Sequence, residues 1–122
     1  MSETITIEEY RKLSKAAPKY GNKRADGFDS QAEARRYDEL ALLARGGAIA
    51  DLRVHPTYEL QPAFNAGGKR HRAISYEADF AYVEGGRQVV EDVKGARTKE
   101  FNIKEKLFRY RYPEIDLRIL EV

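Results

Sequence analysis

Residues 77–95 read EADFAYVEGGRQVVEDVKG, and this stretch decides the predicted fold. On both sides of Gly85 and Gly86, apolar residues alternate with polar ones, as they do in β-strands with one buried face. A Gly-Gly pair between two such runs is typical of a β-hairpin with a two-residue turn. The stretch therefore predicts two antiparallel strands, over residues 74–84 and 87–94.

The hairpin geometry predicts a cluster of charged side chains on one face of the sheet. With the two glycines as the turn, Asp79 lies opposite Asp92, and Glu77 lies opposite Lys94. Opposed residues share a face, with their Cβ atoms about 4.5–5.5 Å apart. These four side chains therefore point the same way, whereas Glu91 points to the other face. A bulge in the second strand would exchange the positions of Glu91 and Asp92.

Two carboxylates that face each other in a sheet repel, so one takes up a proton unless a cation lies between them. Asp79 and Asp92 therefore indicate a site for a hard divalent cation such as Mg²⁺, which prefers oxygen ligands. Lys94 is close enough to orient a water or to stabilise charge on a phosphate. The alternative is that these charges line a solvated face of the sheet, with Lys94 paired to Glu77.

The remaining sequence predicts two helices and further strands around the hairpin. Asp29 and Ser30 form a helix start signal, and this helix ends at Gly46. The other predicted elements are a short helix at residues 6–15, a basic arm at 15–27, strand-like residues at 51–64, a loop at 65–72, a helix at 99–111 and a strand at 115–122. This order predicts an α/β fold in which a central, mostly antiparallel mixed sheet is flanked by two helices.

The composition limits the classes of protein to which the chain can belong. It has 122 residues, which suggests a single domain, and 42% of them are hydrophobic. It contains no cysteine, which excludes disulfides and thiolate metal sites. The formal net charge is +2, so the total charge does not identify a partner. No apolar run approaches the roughly 20 residues of a membrane span, and no signal peptide is recognisable. We therefore expect a cytoplasmic protein without membrane contact.

Asp79 and the triplet Asp92-Val93-Lys94 form a pattern that resembles the D…DxK signature of the PD-(D/E)xK nuclease superfamily. Two longer stretches add to the resemblance. They are GFDSQAEARRYDEL at residues 27–40 and YEADFAYVEGGRQVVEDVKGARTKEFNIKEKLFRYRYP at residues 76–113. Both are similar to short phage and prophage nucleases of the Holliday-junction-resolvase-like type.

The resemblance covers roughly residues 20–120. It implies a restriction-endonuclease-like nuclease domain over residues 28–122, preceded by a short helix and basic arm at residues 1–27. It also implies a Mg²⁺-dependent DNA endonuclease, for which Mn²⁺ substitutes. The expected substrate is branched DNA in phage DNA recombination or processing, and the expected location is the cytoplasm of the host cell.

The resemblance assigns roles to individual residues. Asp79 and Asp92 would bind the metal together with the backbone carbonyl of Val93, and Lys94 would be the catalytic lysine. Glu33 matches an acid that related nucleases carry on the first helix, where it would be catalytic and linked to the metal.

Some positions keep two interpretations. Glu33 follows Ser30 by three residues, which is also the spacing of a capping box that would only stabilise a helix start. Glu77 would contact the metal through a water, or would merely pair with a lysine. The family often has a glutamine where this chain has His55, and the proline of the signature is replaced by Ala78.

DNA would be bound by cations through contacts that are independent of sequence and sensitive to salt. The candidate residues are Lys19, Lys23, Arg24, Lys69, Arg70, Arg72, Arg97, Lys99 and Lys104. Because a four-way junction presents two equivalent strands, a resolvase is expected to be a symmetric homodimer. The competing hypotheses are a DNA-binding module without catalysis, and a nickase or exonuclease with the same active site.

Overall fold

The computed structural model describes the backbone of residues 23–122 and the side chains of residues 31–122. The predicted short helix at residues 6–15 and the candidate Lys19 lie outside the described residues. The side chains of Lys23 and Arg24 also lie outside them.

The described chain contains two helices and eight strands. In chain order they are α1 (Lys23–Arg45), β1 (Ala50–Val54), β2 (Thr57–Gln61), β3 (Phe64–Ala66), β4 (Lys69–His71), β5 (Ile74–Glu77), β6 (Phe80–Glu84), β7 (Arg87–Lys94), α2 (Lys99–Arg111) and β8 (Asp116–Glu121). The main sheet has the strand order β1-β6-β7-β8, and only the β7–β8 pair is parallel. This architecture confirms the predicted α/β fold with a mostly antiparallel mixed sheet and two helices. Neither described helix is long and apolar enough to cross a membrane.

The central hairpin of β6 and β7 has the register that the sequence predicts. Phe80 pairs with Glu91, and Glu84 pairs with Arg87 next to the glycine turn. Gly85 and Gly86 have φ angles of 60° and 80°, the left-handed conformation that tight hairpin turns require.

Alternation along the hairpin divides the apolar core into two halves. On one face, Phe80 and Val89 pack with Tyr37 of α1. On the other face, Val90 packs with Phe108 of α2. The sheet is therefore covered by one helix on each side, and consecutive residues of β7 point to different helices.

Helix α1 starts earlier than predicted. It includes Lys23, so the start signal at Asp29 and Ser30 lies inside the helix, and so does the predicted domain boundary between residues 27 and 28. The capping-box interpretation of Glu33 is therefore wrong, because the helix does not begin at Ser30. A single start signal is weak evidence, since an established helix propagates through it at little cost.

Strand β1 contains one extra residue. Its register against β6 shifts between Ala50 and Arg53, and Asp51 has a φ of 55°. In a regular strand, Ile49 and Leu52 would lie on opposite faces because they are an odd number of positions apart. The bulge lets both pack into the core under α1, where they are 4% and 1% exposed.

The predicted strand over residues 74–84 is divided in the structure. Its first part, β5, leaves the main sheet and pairs with β2, so that Glu77 lies opposite Thr57. The prediction that Glu77 faces Lys94 is therefore wrong. The hairpin pattern alone did not show that β2 competes for the same strand.

The predicted loop at residues 65–72 is also more regular than expected. It forms a second small hairpin, in which β3 and β4 pair with each other. The β3–β4 hairpin is nested between β2 and β5, so the chain runs out along β2 and β3 and returns along β4 and β5. We call these two successive strand pairs the ribbon; it begins beside the main sheet.

Candidate metal centre

The candidate site lies where the β2–β5 ribbon leaves the main sheet. At this point the His55 amide donates to the Asp79 carbonyl at 2.8 Å, and the Ala78 amide donates to the Pro56 carbonyl at 3.0 Å. These two bonds hold His55 and Asp79 side by side at the base of the ribbon. Helix α1 lies over this position and contributes Glu33.

Three potential metal ligands meet at the site. One ligand atom from each of Glu33, His55 and Asp79 lies within 4.8 Å of the others. Glu33 Oε2 is 2.7 Å from His55 Nε2, which makes a hydrogen-bonded pair in the absence of an ion. Two carboxylates and an imidazole are suitable donors for a divalent cation such as Mg²⁺ or Mn²⁺.

Asp79 and Asp92 are neighbours, as the hairpin register predicts. Their carboxyl groups lie within hydrogen-bonding distance, and Asp79 Oδ2 also accepts a bond from the Val93 amide at 2.7 Å. Asp92 is 2% exposed and accepts a hydrogen bond from the Tyr76 hydroxyl. It is the amide of Val93 that contacts Asp79, and the carbonyl keeps its predicted role as a metal ligand only as a proposal.

The pKa of Asp79 shows that the cluster carries more negative charge than its surroundings stabilise. This pKa is raised to about 9, mainly by burial and also by the charges of Glu33 and Asp92, while the hydrogen bond from the Val93 amide opposes the shift. The hydrogen bond to Glu33 raises the pKa of His55. A divalent cation would replace the proton on Asp79 and offset the repulsion among the carboxylates.

Lys94 lies beside Asp92 on the face that α2 covers. Its Nζ is 3.8 Å from Asp92 Oδ2 and 4.5 Å from the centroid of the Phe101 ring. Both contacts are attractive for an ammonium group, so they hold its charge next to the carboxylates. Glu77 is exposed and belongs to the ribbon, with no hydrogen bond or ion pair to Lys94 among the described residues.

Glu91 lies on the opposite face, as predicted, and it is fully buried. The Arg36 guanidinium donates to both carboxylate oxygens of Glu91 at 2.8 Å, and the Tyr82 hydroxyl donates to one of them. The bond to Glu91 raises the pKa of Arg36, and burial raises that of Tyr82. This pair fixes α1 against β7 one turn away from Glu33.

The sequence patterns did not identify three of these contacts. His55 is a single histidine before a proline, and no spacing connects it to Asp79. Tyr76 is indistinguishable in sequence from a core tyrosine, and Arg36 is indistinguishable from a surface cation of a helix. Each becomes part of the site or its support only through the fold.

The candidate DNA-binding cations have different environments. Arg97 is engaged by Glu105 at 2.7 Å and by Glu121 at 3.1 Å, and Lys104 lies 3.5 Å from Glu100. Among the candidate cations, Lys69, Arg70, Arg72 and Lys99 are exposed and have no ion pair in the described part of the chain. The basic cluster of the ribbon therefore keeps its charge available, whereas α2 neutralises part of its own.

The fold and the site define a class of small α/β protein with a carboxylate and imidazole cluster at the base of a β-ribbon. The chain belongs to the family described as "Protein of unknown function (DUF1064)", whose model matches residues 6–121. No curated protein and no solved structure matches the chain. The family description names no activity.

Proposed function

We propose that this protein is a Mg²⁺-dependent DNA endonuclease that hydrolyses phosphodiester bonds and prefers branched DNA. The observation that carries the proposal is the position of Asp79. It lies between Glu33 and Asp92, next to His55, and the Lys94 ammonium lies 3.8 Å from Asp92. Such a group of acids is costly to bury unless it binds a cation.

The residues present fit a divalent cation. Glu33 and Asp79 would hold it through hard oxygen donors, and His55 adds a nitrogen donor beside Glu33. Asp92, outside this group of three but next to Asp79, is proposed as a further oxygen ligand. When bound, such an ion supplies Lewis acidity toward a phosphate oxygen and toward an attacking water.

The protein's own groups would orient the reactants. Tyr76 fixes the Asp92 carboxylate by a hydrogen bond. The Lys94 ammonium, held by Asp92 and Phe101, would donate a hydrogen bond to the attacking water or to a phosphate oxygen. The Val93 amide holds one oxygen of Asp79 and thereby fixes the direction of the other.

Exposed cations support DNA as the substrate. Lys69, Arg70 and Arg72 of the ribbon carry charge that no described acid neutralises, and phosphates are the natural counterions. The preference for branched DNA, a homodimeric assembly and an action on phage DNA in the host cytoplasm rest on the resemblance to resolvase-like nucleases.

The test compares the wild type with Asp79→Asn on labelled four-way junctions, flaps and linear duplex, with Mg²⁺, Mn²⁺ or EDTA. We expect cation-dependent cutting of the branched substrates by the wild type. The variant should be slower by at least ~100-fold, as when a group that stabilises transition-state charge is removed. Glu114→Gln, which removes an exposed carboxylate elsewhere, should retain full activity.

The nuclease activity, the assigned site and the preference for branched DNA can each be refuted by a different outcome. Absence of cutting by the wild type would refute the nuclease. Equal cutting by Asp79→Asn would refute the assigned site. Equal cutting of linear duplex would leave a nuclease but remove the preference for branches, and degradation from ends would identify an exonuclease.

A further inference from the structure

The β3–β4 hairpin is the far end of a ribbon whose near end is firmly anchored. In the near half, the rings of Tyr58 and Phe108 meet edge to face at 5.2 Å. The Tyr112 hydroxyl donates to the carbonyl of Glu59 at 2.7 Å. The far half differs, because every residue of β3 is exposed and β4 pairs only with β3. The ribbon therefore has a fixed base at the metal centre and a projecting tip.

The tip carries a flat aromatic pair. Phe64 and His71 lie opposite each other in the hairpin, with ring centroids 4.6 Å apart and ring planes inclined by 13°. His71 Nε2 lies 3.2 Å from the carbonyl oxygen of Ala66, which fixes the orientation of the imidazole. Phe64 is 39% exposed. An apolar ring is thus held at the surface in a defined orientation.

Unneutralised positive charge surrounds this pair. Lys69, Arg70 and Arg72 are exposed, and none of them contacts a carboxylate in the described part of the chain. No acidic residue occurs between Gln61 and Tyr76. Four arginines elsewhere contact carboxylates within 3 Å; these are Arg36, Arg97, Arg109 and Arg118. The β3–β4 hairpin therefore carries positive charge, unpaired within the described residues, next to the exposed ring of Phe64.

We propose that the β3–β4 hairpin binds an unpaired nucleotide at the branch of the DNA substrate. The base stacks on the Phe64–His71 pair, and Lys69, Arg70 and Arg72 bind the neighbouring phosphates. Aromatic rings beside cations bind single-stranded nucleic acid in this way, because every base has a π-face. The identity of the polymer as DNA rests on the proposed function, whereas the stacking site rests on the hairpin itself.

The length of the ribbon limits where the DNA would be cut. From His71 to Asp79 of the metal centre the chain advances by at most roughly 26 Å, at about 3.3 Å per residue. Base pairs follow one another every ~3.4 Å along duplex DNA. The scissile phosphate should therefore lie within about eight base pairs of the unpaired nucleotide.

The test measures binding in EDTA to a duplex with one unpaired 2-aminopurine and to the matched full duplex. Stacking on the aromatic pair should quench the fluorescence of the unpaired 2-aminopurine. For Phe64→Ala we expect this quenching to be lost and the affinity for the unpaired substrate to decrease about 10-fold, with little change for the full duplex. Phe64→Trp should restore both signals. Tyr110→Ala removes an exposed ring of α2 and should change neither.

Phe64→Leu separates stacking from a purely structural role. Leucine keeps an apolar cross-strand contact but has no π-face, so it should bind like the alanine variant. Wild-type binding by Phe64→Leu, or equal losses for both DNAs with Phe64→Ala, would overturn the stacking site. Cleavage of the same DNAs with Mg²⁺ is scored separately. An inactive wild type refutes the nuclease alone, and normal cleavage without any effect of Phe64 refutes the stacking site alone.

Discussion

Asp79 is the residue on which the chemistry and the stability of the site both depend. Its pKa in the folded protein is about 9, mainly because it is buried, with Glu33 and Asp92 adding to the shift. In an unfolded chain an aspartate has a pKa of about 3.9. The folded protein therefore binds this proton more tightly than the unfolded chain does.

This difference predicts how stability depends on pH in the absence of metal. The stabilising contribution of the protonated Asp79 is complete below pH ~4 and is lost as the pH rises toward 9. As the pH is raised from 5 to 9 in EDTA, we expect the urea concentration at the midpoint of unfolding to decrease. The midpoint of Asp79→Asn should decrease less steeply with pH, and this variant should be more stable than the wild type at pH 8 by about 1–3 kcal/mol. An identical slope for both proteins would contradict the shift.

His55 is expected to influence which metal is bound. Imidazole nitrogen favours transition metals, whereas carboxylates serve Mg²⁺ and Mn²⁺ alike. His55 has a φ of 57°, which asparagine tolerates better than most residues, so His55→Asn removes the ring with little strain. We expect this variant to lose about 10-fold more affinity for Mn²⁺ than for Mg²⁺ in calorimetric titrations. Equal losses for the two ions would place His55 outside the coordination sphere.

At the scale of elements, the Arg36–Glu91 pair joins α1 to β7. Removal of one partner leaves a buried charge without compensation, which costs about 3–5 kcal/mol. We expect Glu91→Gln and Arg36→Met each to lower the free energy of unfolding by an amount in this range, somewhat reduced because Arg36 is 25% exposed. The double variant should lose much less than the sum. Additive losses in urea unfolding would show that the two side chains do not interact.

The sequence predicts some elements better than others, because some of their contacts are local in the chain and others are not. The β6–β7 register follows from a local turn and local alternation, so the sequence predicts the pairing of Phe80 with Glu91 and the separation of Glu91 and Asp92 onto opposite faces. The departure of β5 toward β2 depends on partners 13 to 20 residues earlier in the chain, and no local pattern contains that information. His55 and Arg36 join the site through contacts that only the packed fold creates.

At the scale of the whole molecule, the location of charge matters more than the net charge of +2. Each phosphate contact contributes about 0.9 to the slope of log K against log salt concentration. For branched DNA, we expect Lys69→Gln to reduce the magnitude of that slope by about 0.9, the contribution of one phosphate contact. Lys106→Gln makes the same change in net charge on the exposed surface of α2 and should leave the slope unchanged. Equal effects in a salt titration would mean that DNA responds only to total charge.

The extra residue in β1 limits how the length of this protein can vary. Ile49 reaches the core before the bulge, and His55 reaches the site after it. If one residue were deleted between them, either Ile49 would turn toward solvent or the His55 imidazole would move away from Glu33 and Asp79. Insertions at the Gly67–Gly68 turn disturb neither. Homologues should therefore differ in length at that turn and keep β1 constant in length, whichever amino acids fill it.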